Sequence, residues 1–286
     1  MLAIAFRFPA GRYHATPWGR HVNEAEVEWP PAPWRILRAL IAIWHRKIDH
    51  EQHPENVLEA LIRAMASSLP GYQLPTAVRA HSRHYIPVRE SRADKRVMIF
   101  DAFARVDPDA PLVVCWPELE LNPDQLNLLD ALLAGLGYLG RAESWVEAER
   151  LPDWDGSMNC RASELSVDTE TGEVLEPMRL LAPLPGPDYE QWRSALIAEQ
   201  GLDKKKLNAT QKRILRTLPE RLLDALRLDT GDLQAAGWSC APGARFVTYQ
   251  RPQDVFRPRP QRSTRTRKAD ATITTARLAL AGKPLP

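Results

Sequence analysis

Gly135-Leu136-Gly137-Tyr138-Leu139-Gly140, running on into Arg141-Ala142-Glu143-Ser144-Trp145, is the stretch whose context decides the fold. Its letters match the G-x-G-x-x-G of dinucleotide-binding proteins, in which a strand precedes the glycines and a helix follows them. Here the order is reversed. Asn122-Pro123-Asp124-Gln125 starts a helix, with Asn122 as N-cap, Pro123 at the first helical position and Gln125 placed to complete a capping box. Leu126, Leu129, Leu132, Leu133 and Leu136 then recur at helical spacing. The glycines therefore end a helix, and Trp145-Val146-Glu147 enters a strand. By itself this reads as a helix C-cap. A helix–glycine loop–strand can also bring bare backbone close to a phosphate chain, because no side chain holds it off.

Working outward, Leu2 to Phe8 alternates as a first strand. Pro31 and Pro33 introduce a helix with Ile36, Leu37, Leu40, Ile41 and Trp44 as its buried stripe. A second helical patch runs from Glu55 to Met65 and is broken by Pro70-Gly71 and Pro75. Arg83 to Arg89 and Arg96 to Val106 read as two strands of a hairpin with the polar, basic tip Glu90–Lys95. Pro111 to Trp116 is a further short strand. Residues 1–150 thus give strand, helix, hairpin, helix, strand. This α+β order is ferredoxin-like and RRM-like, and such a fold offers an open sheet face that suits RNA.

From 151 the texture changes to a mixed α/β extension reaching 252. Asp168-Thr169-Glu170-Thr171-Gly172 reads as a hairpin turn and Pro183 to Pro187 as a connector. Tyr189–Ile197 and Thr210–Leu226 read as helices, with Lys204-Lys205-Lys206 exposed between them, and Ala244–Gln250 reads as a strand. Residues 253–270 are expected to be a flexible basic linker, and 271–286, strand-like from Ala271 to Leu280, the start of a second half that stops at Pro286.

Composition narrows the class. The chain of 286 residues is 44% hydrophobic and 26% charged, ordinary for a globular protein with a sizeable core. No apolar run approaches the length of a membrane helix, and Met1–Arg7 is too short and mixed for a signal peptide, so a cytoplasmic protein is expected. Three scattered cysteines, Cys115, Cys160 and Cys240, suit a reducing compartment rather than a disulfide framework or a zinc site.

Net charge is only +2, but its distribution is uneven. Arg7, Arg12 and Arg20 stand in an acid-free opening. Arg79, Arg83, Arg89, Arg92, Lys95 and Arg96 crowd the hairpin with His81 and His84, and Arg257–Lys268 carries six cations and no acid. Segregated basic stretches interleaved with Tyr, Trp and His in a near-neutral chain mark a polyanion-binding face.

Candidate chemistry lies in the same places. There is no P-loop, nucleophile elbow, H-E-x-x-H or C-x-x-C, so kinase, hydrolase and zincin readings have nothing to rest on. His45, His50 and His53 sit at a helix end, where histidines face water or the helix dipole, and no metal or cofactor is expected. Gly11-Arg12-Tyr13-His14-Ala15-Thr16-Pro17-Trp18-Gly19-Arg20-His21 offers two readings. Tyr13 and His14, with His84, are conceivable acid–base catalysts of metal-independent RNA cleavage. Neighbours on an extended chain point oppositely, however. The plainer reading is contact, with Arg12 and Arg20 on phosphates and Tyr13 or Trp18 stacking on a base.

These residues also carry a family resemblance. Gly11 to Glu24, Trp29-Pro30-Pro31, Pro33-Trp34-Arg35, His84-Tyr85-Ile86-Pro87-Val88-Arg89, Phe100-Asp101-Ala102-Phe103, Leu139 to Ala148 and Thr275 to Pro286 resemble, in order, the motifs of the Csb-two family. That family is the Cas-five/Cas-six fusion subunit of type I-U (I-G) CRISPR effector complexes, and the match spans nearly the whole chain. The resemblance implies a RAMP protein with a ferredoxin-like core, a glycine-rich loop after the second helix and a thumb hairpin, here Glu90–Lys95. The Cas-five half would hold the 5′ handle of the guide RNA and cap the backbone filament in antiviral defence. Its partners would be crRNA, the Cascade backbone subunit, the large subunit and, through the assembled complex, target DNA. Guide-RNA cutting would lie in the Cas-six-like half, of which this chain carries only the start. The expected RNA face comprises Arg12, Tyr13, His14, Trp18, Arg20, His21, Arg83, His84, Tyr85, Arg89, Arg92, Lys95, Arg96, Gly137, Gly140 and Arg141. The competing readings are an endoribonuclease processing pre-crRNA with His14, Tyr13 or His84, and a purely protein-binding scaffold.

Overall fold

Leu2–Arg7 forms β1, paired along one edge through Leu2–Phe6 and along the other through Ile4–Arg7, which makes it an interior strand. The computed structural model describes residues 1–20, 24, 26–87, 96–168 and 172–256 of a mixed α+β chain with antiparallel sheets. After β1 come β2 (Arg12–Tyr13), α1 (Pro33–Lys47), α2 (Glu55–Ala66), β3 (Gly71–Gln73), β4 (Ala77–Pro87), β5 (Arg96–Val106), β6 (Leu112–Trp116), α3 (Pro123–Gly135) and β7 (Glu147–Arg150). A four-stranded sheet takes the order β3-β6-β1-β7, antiparallel throughout. Leu2, Ile4, Phe6, Leu112, Val114 and Trp116 share one core with the apolar faces of α1, α2 and α3. The stripe Ile36, Leu37, Leu40, Ile41 and Trp44 is buried as its spacing predicts. Asn122 Oδ1 accepts from Gln125 N at 2.9 Å, and Gln125 Oε1 accepts from Asn122 N at 3.0 Å, so the expected capping box starts α3.

Two features differ from the sequence reading. The long hairpin does not belong to the core sheet. β4 and β5 pair from Ala77↔Val106 to Pro87↔Arg96 in a separate sheet of order β2-β5-β4. The second core strand is instead β3, beginning at Gly71, where the sequence shows only a break. A Cβ on Gly71 would lie 2.2 Å from Met158 Sδ, so a larger residue there would have to displace the Met158 side chain that packs over it. Nor is the second sheet face open. Ala3, Ala5, Val113 and Cys115 point there and are buried, with Leu151, Trp154 and Met158 packed over this face. Leu151 N donates to Ala3 O at 2.9 Å, which folds the chain back across the sheet as soon as β7 ends.

The extension continues with β8 (Arg161–Ala162), β9 (Leu175–Pro183), α4 (Gly186–Gln200), α5 (Ala209–Arg216), α6 (Leu222–Arg227), α7 (Thr230–Ala235) and β10 (Ala244–Pro252). The strands form a sheet of order β8-β10-β9. Gly172 N donates to Asp168 O at 2.9 Å beside a Val167↔Val174 bridge, as a hairpin turn would, though residues 169–171 lie outside the described residues. The expected helix Thr210–Leu226 is two helices, interrupted at Pro219, which has no N–H to continue the ladder. Leu180, Leu181, Tyr189, Leu222, Leu226 and Tyr249 join the same core cluster as α1 and α2. The linker expected from 253 is also corrected at its start. Val255 is buried, Phe256 bridges Ala77 in parallel, and the Phe256 ring lies under the guanidinium groups of Arg79 at 4.7 Å and Arg251 at 4.9 Å. The rest of that segment and the strand-like 271–280 lie outside the described residues. No helix among the described residues is long and apolar enough to cross a membrane.

Candidate functional site

The glycine loop is a tight turn held by backbone hydrogen bonds. Leu136 caps α3, Val146 N donates to Gly137 O at 3.1 Å, Leu139 N to Ser144 O at 3.1 Å and Ser144 N to Arg141 O at 2.9 Å. Gly140 takes a φ of +90°, and a Cβ there would lie 2.6 Å from His14 O. Glycine is thus required on both counts, and the close approach lets Arg141 N donate to that carbonyl at 2.9 Å. Ser144, fully buried, completes the seam: His14 N donates to Ser144 Oγ at 2.8 Å. Gly137 is different. It is exposed, and a Cβ there would meet nothing within 4 Å.

His14 is the centre of the junction and is 2% exposed. Its Nδ1 lies 2.6 Å from Glu143 Oε1, and its Nε2 lies 3.9 Å from Asp101 Oδ1. Burial would raise the Glu143 carboxyl, but its own amide, the His14 ring and Arg141 outweigh this and hold it below the usual range. Glu143 is therefore an ionised acceptor, and Nδ1 donates to it. Asp101 on β5 also has Arg141 Nη1 and His84 Nδ1 at 3.4 Å each. The first loop, the ribbon β4–β5 and the glycine loop therefore meet around one carboxylate.

The sequence candidates divide accordingly. His14, His84, Gly140 and Arg141 come together. Arg12 joins the same ribbon face, its guanidinium 4.1 Å from the Phe103 ring centroid. Arg83 and Tyr85 stand on the opposite face, by the alternation of the strand. There His81 stacks on Phe100 at 4.6 Å, Arg83 lies 5.5 Å from the same ring, and Tyr85 is 65% exposed. Arg96 is exposed at the far end of the ribbon, opposite Pro87.

Two candidates, Tyr13 and Trp18, are structural in this geometry, while Arg20 stays exposed. Tyr13 is fully buried between Phe8 and Trp29, so its ring cannot stack on a base or reach a phosphate. Its hydroxyl donates to Glu28 Oε1 at 3.2 Å, and burial followed by the Glu28 charge raises its pKa well above the usual value. Glu28 is itself buried and takes Arg35 Nε at 2.6 Å and Ala32 N at 2.9 Å. Trp18 donates its indole N–H to Ser239 O at 3.0 Å and packs on the core. Arg20 is engaged by Glu24 and Glu26. His21, Arg89, Arg92, Lys95 and the tip of the hairpin lie outside the described residues. His50 of the helix-end group stacks on Trp44 at 3.8 Å.

Sequence reasoning misses Asp101 and Glu143. Asp101 does carry a signal: it is the lone acid within the strand run Arg96–Val106. Compared with protein-family models and with curated proteins, the chain matches none of them.

Proposed function

We propose that this chain is an RNA-binding subunit of a type I-G CRISPR effector complex, holding the 5′ handle of the guide RNA. Its core would be a ferredoxin-like RAMP domain. The sheet order β3-β6-β1-β7, with helices between β1 and β3 and between β6 and β7, supports that assignment. So does the ribbon β4–β5, inserted between the core strands β3 and β6 where a thumb would stand. The observation that carries the functional reading is the convergence on Asp101. The first loop, the glycine loop and the two ribbon strands meet there, with Arg141 Nη1 and His84 Nδ1 each 3.4 Å from Asp101 and both side chains exposed. A phosphate would be drawn by the exposed side of the Arg141 guanidinium, with Arg12 on the same ribbon face as a second cation, and Asp101 would oppose it as a like charge. The exposed backbone of Gly137 would then lie open to the strand, and the Arg83–Phe100–Tyr85 side chains, on the other face of the ribbon, would be met only by RNA that passes around it.

The competing reading, cleavage of precursor RNA, draws support from the Asp101 bridge between His14 and His84. The burial of His14 weighs against it, because an acid or base must reach the proton it moves. Tyr13, wholly inside the core, drops out as a catalyst.

The test is incubation of the chain with end-labelled CRISPR repeat RNA in EDTA, run on native and denaturing gels. A shifted, uncut band, weakened in Arg12→Ala and Arg141→Ala, is the expected result. A single discrete cut lost in His84→Ala or His14→Ala would make the chain a processing enzyme. Unchanged affinity in both arginine variants would remove this face from RNA binding and favour a protein scaffold.

A further inference from the structure

A second concentration of positive charge stands in the extension, in the stretch Asp203-Lys204-Lys205-Lys206-Leu207-Asn208-Ala209-Thr210-Gln211-Lys212-Arg213-Ile214-Leu215-Arg216. It holds six cations against one acid. All six are exposed, and α5 has no buried residue. The segment is nevertheless fixed in place. Asn208 and Gln211 form a capping box, Gln211 Nε2 donates to Gln200 O at 3.0 Å, Arg213 Nη1 donates to Ala235 O at 3.0 Å, and the buried Leu218 follows α5.

None of these six cations forms an ion pair among the described residues. Nearby arginines do so readily. Arg221 meets Glu55, Glu59 and Asp224, Arg227 meets Glu55 and Asp224, and Arg63 meets Glu190. Six exposed cations within fourteen residues, with Asp203 the single acid among them, repel one another and attract a polyanion.

The composition selects the kind of polyanion. Surfaces for single strands set aromatic rings among their cations, because unstacked bases need a platform. The Arg83–Phe100–Tyr85 face of the ribbon has that character, and residues 203–216 contain no Phe, Tyr, Trp or His. In a duplex the bases already stack on each other, and a protein surface meets phosphates. Lysine, a point charge on a flexible stem, serves such contacts without demanding a fixed orientation.

We propose that the Lys204–Lys206 turn and α5 form a second nucleic-acid surface, which grips the phosphate backbone of a duplex regardless of sequence and acts separately from the His14–Asp101 site.

The experiment is fluorescence anisotropy with the full chain over a salt series. The probes are a random-sequence DNA duplex, an RNA duplex of the same sequence and single-stranded CRISPR repeat RNA. The variant combines Lys204→Ala, Lys205→Ala, Lys206→Ala and Lys212→Ala, and its thermal unfolding should match the parent chain, since none of these side chains has an ion-pair partner to lose. On B-DNA the slope of log affinity against log salt should fall by about 0.9 for each phosphate no longer neutralised, roughly 3 to 4 for four lysines. Single-strand affinity should stay within about twofold, as the aromatic-laced face does not include them. The same loss on the RNA duplex also supports backbone recognition, and the duplex with the larger change is the preferred one. Unchanged duplex binding, an equal loss on the single strand, or wild-type chain that ignores both duplexes yet binds phosphatidylserine vesicles through these lysines overturns the proposal. The single-strand arm reports separately on the handle-binding reading.

Discussion

Replacing Gly140 with Ala should break the seam between the glycine loop and the first loop, and the cost can be worked from its geometry. An L-residue at a φ of +90° is strained, by about 1–2 kcal/mol on the scale of left-handed backbone. The added Cβ would lie 2.6 Å from the His14 carbonyl, which is main chain and cannot swing aside. That carbonyl must withdraw, and the Arg141 N–H bond at 2.9 Å goes with it, costing about 1–2 kcal/mol more. Gly140→Ala should therefore destabilise by roughly 2–4 kcal/mol in urea unfolding, using both terms. Gly137→Ala is the internal control. It has no positive φ and open space at its Cβ, so stability should change by less than about 0.5 kcal/mol, as for an unstrained surface site. RNA affinity is its readout instead, falling as a side chain intrudes on bare backbone. Equal stability for the two variants, or a Gly140→Ala chain as stable as the parent, would refute the reasoning.

Other outcomes follow from the buried polar groups. Glu28→Ala leaves Arg35, the Ala32 N–H and the Tyr13 hydroxyl without their shared acceptor and should cost about 3–5 kcal/mol in urea unfolding, with Glu28→Gln, which keeps an acceptor oxygen, recovering part of it. The folded-state pKa of Glu143 is depressed, so the unfolded chain binds the extra proton. Its contribution is full above the ordinary carboxylate pKa and is lost as pH falls through the depressed value. Melting temperature against pH should show this acid limb, shallower in Glu143→Gln. Phe256→Leu keeps an apolar contact but removes the ring against which Arg79 and Arg251 lie, and should lower stability by about 1–2 kcal/mol in the same unfolding assay.

Local signals are legible in the sequence where they are self-contained. The Asn122 capping box, the stripe of α1 and the reversed context of the glycines depend on residues a few positions apart. Sheet membership does not. β4 and β5 alternate like core strands, and only their pairing partners place them outside the core sheet. Strand β3 is three residues long, and its conformation comes from β6 on one side and Cys160 on the other, the latter bonded to Tyr72 N at 2.8 Å. The site is half readable. His14, Gly140 and Arg141 stand in recognisable clusters, whereas Asp101 and Glu143 acquire their partners only when segments about 40 and 129 residues apart close on each other. Tyr13 and Trp18 mislead because an aromatic beside basic residues has the same letters whether it faces solvent or core.

The cover over the second sheet face bears on how the chain comes to be folded. β1 is made first, yet its neighbours β6 and β7 lie more than a hundred residues downstream, and its outer face is sealed only when Leu151, Trp154 and Met158 arrive. During synthesis the earliest strand therefore waits with unpaired edges and an apolar flank while more than half the chain emerges. The change of texture at residue 150 is thus no seam for separation. A piece ending there would carry every strand of the first sheet and still lack its lid.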